Sequence, residues 1–159
     1  EPCLEGTGVN DVERFLAHAI QLEREAARRY EELSAAMGTE GNRELKAFFG
    51  RMAHYSRLHL AQAAERGGFR ELPVLQPDEF EWPDGTSPET AGWAGVDALM
   101  SPRAALDLAL AGERSGHAYY AAMAATTTDA ELRDIASEFA SEEAEHVREL
   151  EKLIAACPA

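Results

Sequence analysis

One pattern is written twice along this chain. Glu113 is followed by Tyr120 and then by Glu143-Ala-Glu-His146; Glu23 and Tyr30 stand ninety positions upstream of the first two residues. With the offset shortened to 87, His146 falls on His59, Leu132 on Leu45 and Glu143 on Ser56. One half therefore reads Glu…Tyr…Glu-x-x-His and the other Glu…Tyr…Ser-x-x-His. Carboxylate and imidazole three residues apart share a face of a helix. A chain of two such halves is most simply an all-α bundle with a metal held between its helices.

The apolar residues support helices throughout. A first helix is expected at about 10–37, with Phe15, Leu16, Ala19, Ile20, Leu22, Ala26, Ala27, Tyr30 and Leu33 at the 3.6-residue period, Asn10 or Asp11 capping its start and Gly38 ending it. A second, at about 40–66, carries Leu45, Phe48, Phe49, Met52, Leu60 and Ala63 and stops at Gly67-Gly68. Ser101-Pro102 is a cap-and-proline start for a third, at about 102–125. The fourth, at about 129–156, carries Leu132, Ile135, Ala136, Phe139, Val147, Leu150 and Leu153. Short connections make each pair an antiparallel hairpin.

Residues 67–101 hold four of the seven prolines and both tryptophans. A structureless loop of that length is unusual in a compact domain, but it suits a crossover. A helix of about 27 residues is ~40 Å long, and about 34 residues span that distance with slack. Phe69, Phe80, Trp82 and Trp93 are expected to pin the crossover to the helices. The second and third helices then run parallel, and the two hairpins relate by a pseudo-twofold axis that brings Glu23 to Glu113, and residues 56 and 59 to 143 and 146, near mid-bundle. The termini go to opposite ends, so Cys3 and Cys157 are not expected to pair. The whole chain, 1–159, reads as one domain.

Composition narrows the partners. The formal net charge is −14, and a surface that acidic repels phosphate backbones and anionic lipids, which argues against nucleic-acid and membrane partners. No apolar run approaches ~18 residues, and no basic region precedes an apolar stretch as in a signal peptide. The two cysteines sit in the tails with no Cys-x-x-Cys, which excludes a zinc ribbon or a four-cysteine iron site. Reduced thiols point to the cytoplasm.

Glu143 lies one turn after Phe139 and His146 one turn before Leu150, so both fall on the apolar stripe; Glu142 falls at its edge. Glu23 and Glu113 sit on core stripes as well, three residues after Ile20 and Leu110. A carboxylate on a core stripe is costly unless it is paired or binds a metal. His117, one turn after Glu113, is a possible extra ligand. His54 falls off the site and His18 off the stripe, where it is expected to be exposed. Met37, Met52, Met100 and Met123 read as core packing.

These motifs resemble the rubrerythrin branch of the ferritin-like superfamily over all four helices: Glu-x-x-Ala-x-x-x-Tyr from Glu23 to Tyr30, a second Glu…Tyr from Glu113 to Tyr120, and Glu-x-x-His from Glu143 to His146. The resemblance implies a ferritin-like four-helix bundle of two antiparallel hairpins joined by the long crossover. It implies two irons that react with peroxide or dioxygen, or that oxidise ferrous iron. Glu23 and Glu113 would be terminal ligands, Glu143 a bridging ligand, His59 and His146 the nitrogen ligands, and Tyr30 and Tyr120 hydrogen-bond partners that position the carboxylates. An external electron donor and a homodimer or other homo-oligomer are implied in the same way.

The chain departs from that family at Ser56, where a further Glu ligand is expected, and at Gly116, where rubrerythrins carry another Glu. It also lacks the four-cysteine rubredoxin module. The alternatives are a non-catalytic protein holding one iron, zinc or manganese ion, and a degenerate bundle with a structural or interaction role.

Overall fold

The computed structural model describes residues 11–67, 72–82, 87 and 97–158. Four helices stand among them, α1 Asp11–Glu40, α2 Arg43–Arg66, α3 Pro102–Thr126 and α4 Ala130–Ala156, and the described residues of the crossover include a 3-10 turn, Pro77–Glu79. No strand occurs among the described residues, and none of their helices is long and apolar enough to cross a membrane. The fold is the expected all-α four-helix bundle. Asn10, Phe69 and Trp93 lie outside the described residues, as does Cys3.

The caps explain where the helices stop. α1 does not end at Gly38 but runs on to Glu40. The chain leaves the helix at Gly41, whose φ of 83° is the left-handed conformation that glycine adopts without a Cβ penalty. Gly41 N–H bonds Gly38 O at 3.2 Å and Asn42 N–H bonds Met37 O at 2.9 Å, the paired closure of a Schellman turn. Asn42 then caps α2, its side chain accepting from Leu45 N–H at 3.0 Å, so α2 starts at Arg43 rather than near Glu40. Ser101 accepts from Ala104 N–H at 3.1 Å with Pro102 behind it, as its sequence predicts. Asp129 caps α4 through Leu132 N–H at 3.1 Å.

Each hairpin packs closely on itself, α1 on α2 and α3 on α4. The interior divides into two apolar layers. One gathers Val12, Phe15, Leu16, Leu22, Ala63, Tyr120, Leu132 and Phe139; the other gathers Leu33, Met37, Phe48, Phe49, Met52, Leu106, Leu110 and Leu150. The order in which each helix visits the layers fixes its direction. α1 and α4 start in the first layer and end in the second, while α2 and α3 run the other way. The crossover therefore returns along the bundle, from Leu72 and Trp82 against the first layer to Met100 in the second. α1 accordingly begins at the end of the bundle opposite to that where α4 finishes.

One histidine contradicts its sequence expectation. His18 is 3% exposed because the crossover covers it. Its Nδ1 lies 2.8 Å from Arg14 O, its Nε2 accepts from Glu81 N–H at 2.9 Å, and Phe80 and Trp82 meet its ring edge-to-face at 5.1 and 4.8 Å. An acceptor at Nε2 places the proton on Nδ1, where Arg14 O accepts it. His18 is a neutral pin that fastens the crossover to α1.

Candidate metal centre

The boundary between the two apolar layers is polar, and every helix contributes to it. On α1, Glu23 falls between Leu22 and Tyr30; on α2, Ser56 and His59 fall between Ala53 and Ala63. On α3, Glu113 falls between Leu110 and Tyr120; on α4, Glu143 and His146 fall between Ala140 and Leu150. Glu23, Glu113 and Glu143 are each 2–3% exposed and Ser56 is 5% exposed. The two histidines keep a little more contact with solvent, at 12% for His59 and 15% for His146.

The contacts repeat in matched pairs. The Tyr30 hydroxyl donates to Glu113 Oε1, and that of Tyr120 to Glu23 Oε1 at 3.2 Å, so each tyrosine holds the carboxylate of the opposite half. His59 Nδ1 lies 3.7 Å from Glu23 Oε1, and His146 Nδ1 lies 3.5 Å from Glu113 Oε2. The two imidazoles stack across the axis with centroids 5.7 Å apart and an interplanar angle of 18°. This is the pseudo-twofold arrangement that the repeat predicts.

Two sets of ligand atoms converge. Glu23, His59 and Glu143 offer donors within 4.8 Å of one another, and so do Glu113, Glu143 and His146. Glu143 belongs to both sets. All five sequence-predicted ligands thus meet at one layer, and Tyr30 and Tyr120 stand beside them. His117 joins neither set. It lines a groove between α3 and α4 with Arg114, Ala144, Val147, Arg148 and Glu151. His54 is exposed and away from the site, as expected.

Two neighbours had only a partial signal in the sequence. Glu142 Oε2 lies 3.1 Å from His59 Nε2, and Tyr55 stacks on His146 with centroids 6.0 Å apart. The 87-residue offset that matches Ser56 to Glu143 also matches Tyr55 to Glu142, and applied one position earlier it identifies both.

The electrostatics follow from burial and pairing. Burial alone would raise the Glu113 carboxyl, but its polar neighbours Glu143, His146 and Tyr30 outweigh burial and hold Glu113 below the usual carboxylate range. Burial alone would lower His59, yet the neighbouring Glu23 carboxylate, with help from Glu142, raises it. His146 is raised against the same desolvation by Glu113. Burial pushes Glu142 up.

Even so, Glu113 Oε2 and His146 Nδ1 are buried without a hydrogen-bond partner. Buried polar atoms left in this way cost free energy unless something else meets them. They are atoms of the two side chains that complete a three-donor set with Glu143. A divalent cation fits this donor chemistry, with carboxylate oxygen and imidazole nitrogen and no thiolate.

A four-helix bundle with a carboxylate–histidine layer at its middle is the class that fold and site define together. Residues 13–159 match the ferritin-like domain model, and the chain belongs to that family. Among solved structures it is similar to an uncharacterized conserved protein from Magnetospirillum magnetotacticum MS-1, at 39% identity and a TM-score of 0.77, with 95% of this chain and 97% of that chain covered. A search of curated proteins finds no match.

Proposed function

We propose that this protein is a non-haem iron oxidoreductase of rubrerythrin type, in which Glu23 and His59 hold one iron, Glu113 and His146 hold a second, and Glu143 bridges them. The observation that carries this reading is the membership of Glu143 in both three-donor sets. Bound iron supplies the electron transfer to peroxide or dioxygen that no side chain here can perform. The chain's own residues supply the rest. The carboxylates offset the cationic charge in a layer closed above and below by apolar side chains. Tyr30 fixes Glu113 Oε1 and leaves Oε2 toward His146, while Tyr120 fixes Glu23 Oε1, the oxygen nearest His59. Glu142 Oε2 stands 3.1 Å from His59 Nε2, an acidic neighbour on the side of the ring away from Glu23. We infer an external electron donor, as the resemblance to rubrerythrins implies. A homo-oligomer in the cytoplasm is the setting we infer.

Ser56 supports a second reading. A serine hydroxyl is a poor ligand for hard iron beside a carboxylate, so the bundle could retain one iron, zinc or manganese ion without turnover. Metal content after purification without chelators, followed by rapid mixing with peroxide, separates the two. Two irons per chain that oxidise on mixing support the oxidoreductase. One redox-silent ion supports the binding protein. No bound metal, with thermal stability unmoved by added Fe²⁺, refutes both and leaves a structural bundle. His146→Ala should abolish or sharply reduce binding in either metal reading.

A further inference from the structure

The two halves differ most at position 56. The pseudo-twofold exchanges Tyr30 on Glu113 with Tyr120 on Glu23, and Glu142 on His59 with Tyr55 on His146. It therefore also exchanges Glu143 with Ser56. Ser56 is buried on the stripe that carries Phe49, Met52 and Ala63, so it faces the interior as Glu143 does. Its side chain stops at Oγ, well short of the reach that lets Glu143 serve both donor sets.

Charge makes the shortfall matter. Two divalent ions bring one more positive charge than the carboxylates of Glu23, Glu113 and Glu143 balance. Glu142 does not make up the difference at the centre. It belongs to neither donor set, and its Oε2 meets His59 at Nε2, whereas Glu23 meets the same ring at Nδ1. Uncompensated charge in a buried layer is expensive. The seam between α2 and α4 gives access from solvent, since Tyr55 is 41% exposed and Glu142 30% exposed beside the two histidines.

We infer that Ser56 leaves one bridging position of the metal-loaded centre to a small exogenous oxyanion with a carboxylate bite, such as formate, acetate or bicarbonate, which replaces the carboxylate the first half has lost. This rests on the metal reading above. The anion lies across from Glu143, brings the missing negative charge, and is limited in size by the glutamate side chain whose place it takes.

The test uses the full chain loaded with Co²⁺, whose visible bands report coordination, with cobalt content measured before and after titration with formate and acetate. The bands should shift and saturate in the wild type and in Ser56→Ala. In Ser56→Glu the tethered carboxylate should weaken the response at least ~10-fold, the order expected of a charge-assisted contact already made. If that variant does not fold, Ser56→Gln fills the same space without charge and should also blunt the response. Wild-type protein that keeps its cobalt with unchanged bands overturns the inference while leaving the metal reading intact, as does Ser56→Glu responding like wild type. Loss of cobalt on adding the anion overturns it too. Failure to bind cobalt at all overturns both.

Discussion

Tyr30→Phe isolates the mid-bundle network with little disturbance to packing. The Tyr30 ring is fully buried and stacks on Phe49 at 6.1 Å, and phenylalanine keeps that contact. What it loses is the hydroxyl that donates to Glu113 Oε1. Glu113 is itself 3% exposed, so water cannot readily replace the donor. A hydrogen bond to a charged group contributes about 1.5–3 kcal/mol, so ~2 kcal/mol is expected here. For a domain of this size that corresponds to a melting temperature lower by roughly 4–8 °C.

Urea denaturation of chelator-treated protein at neutral pH measures the cost directly, with an unchanged m-value showing that the same surface is exposed. Tyr120→Phe is the matched control. Its bond to Glu23 is 3.2 Å long and should contribute less, about 1 kcal/mol. A loss under ~0.5 kcal/mol in Tyr30→Phe, within the range of unremarkable substitutions, would refute the claim that Glu113 depends on this donor. A larger loss in Tyr120→Phe than in Tyr30→Phe would refute the ranking.

Three further outcomes follow from the same contacts. Burial holds His18 below its ordinary value of 6.5, so its contribution to stability is complete above about pH 6.5 and is lost as pH falls below it; His18→Gln should flatten the acid limb of stability against pH, and equal slopes would count against the pin. His59 and His146 titrate in both proteins and cancel in that difference. Gly41→Ala should destabilise by about 1–2 kcal/mol, because φ is positive there while open space surrounds the added methyl; thermal denaturation checks it. Arg66 pairs with Glu138 at the α2–α4 seam, both partly exposed, so Arg66→Ala should cost under ~1 kcal/mol, and that cost should shrink in high salt.

How much of this molecule its sequence discloses depends on which residues repeat. The four stripes, the Ser101-Pro102 start and the pairing of Glu23, Tyr30 and His59 with Glu113, Tyr120 and His146 are periodic, and periodic features survive folding because a helix presents them on one face. The end of α1 is not periodic. Gly38 and Gly41 are equivalent as letters, and only the Schellman closure between Met37 and Asn42 selects the second. His18 departs from its sequence expectation for a related reason. Its burial comes from Phe80, Glu81 and Trp82, in a segment with no period to place it. His117 shows the limit of counting turns: it stands one turn from a ligand, yet it joins neither donor set and lines the groove between α3 and α4.

The serine bears on stability as well as on chemistry. A symmetric centre would place four carboxylates in the dry layer, and without metal each additional buried negative charge raises the cost of folding. This chain has three, and two of them are met by tyrosine hydroxyls. His59 and His146, both raised by the acids they face, take up protons more readily than free imidazoles and so offset part of the remaining charge. Replacing the fourth carboxylate with Ser56 therefore lightens the burden on the metal-free fold at the place where it weakens the hold on metal. The prediction is that the two apolar layers keep the bundle folded without metal, and that Ser56→Glu makes folding more dependent on metal than it is in the natural chain. Chelator-treated Ser56→Glu that melts at or above the wild-type temperature would show that the fourth carboxylate carries no such penalty.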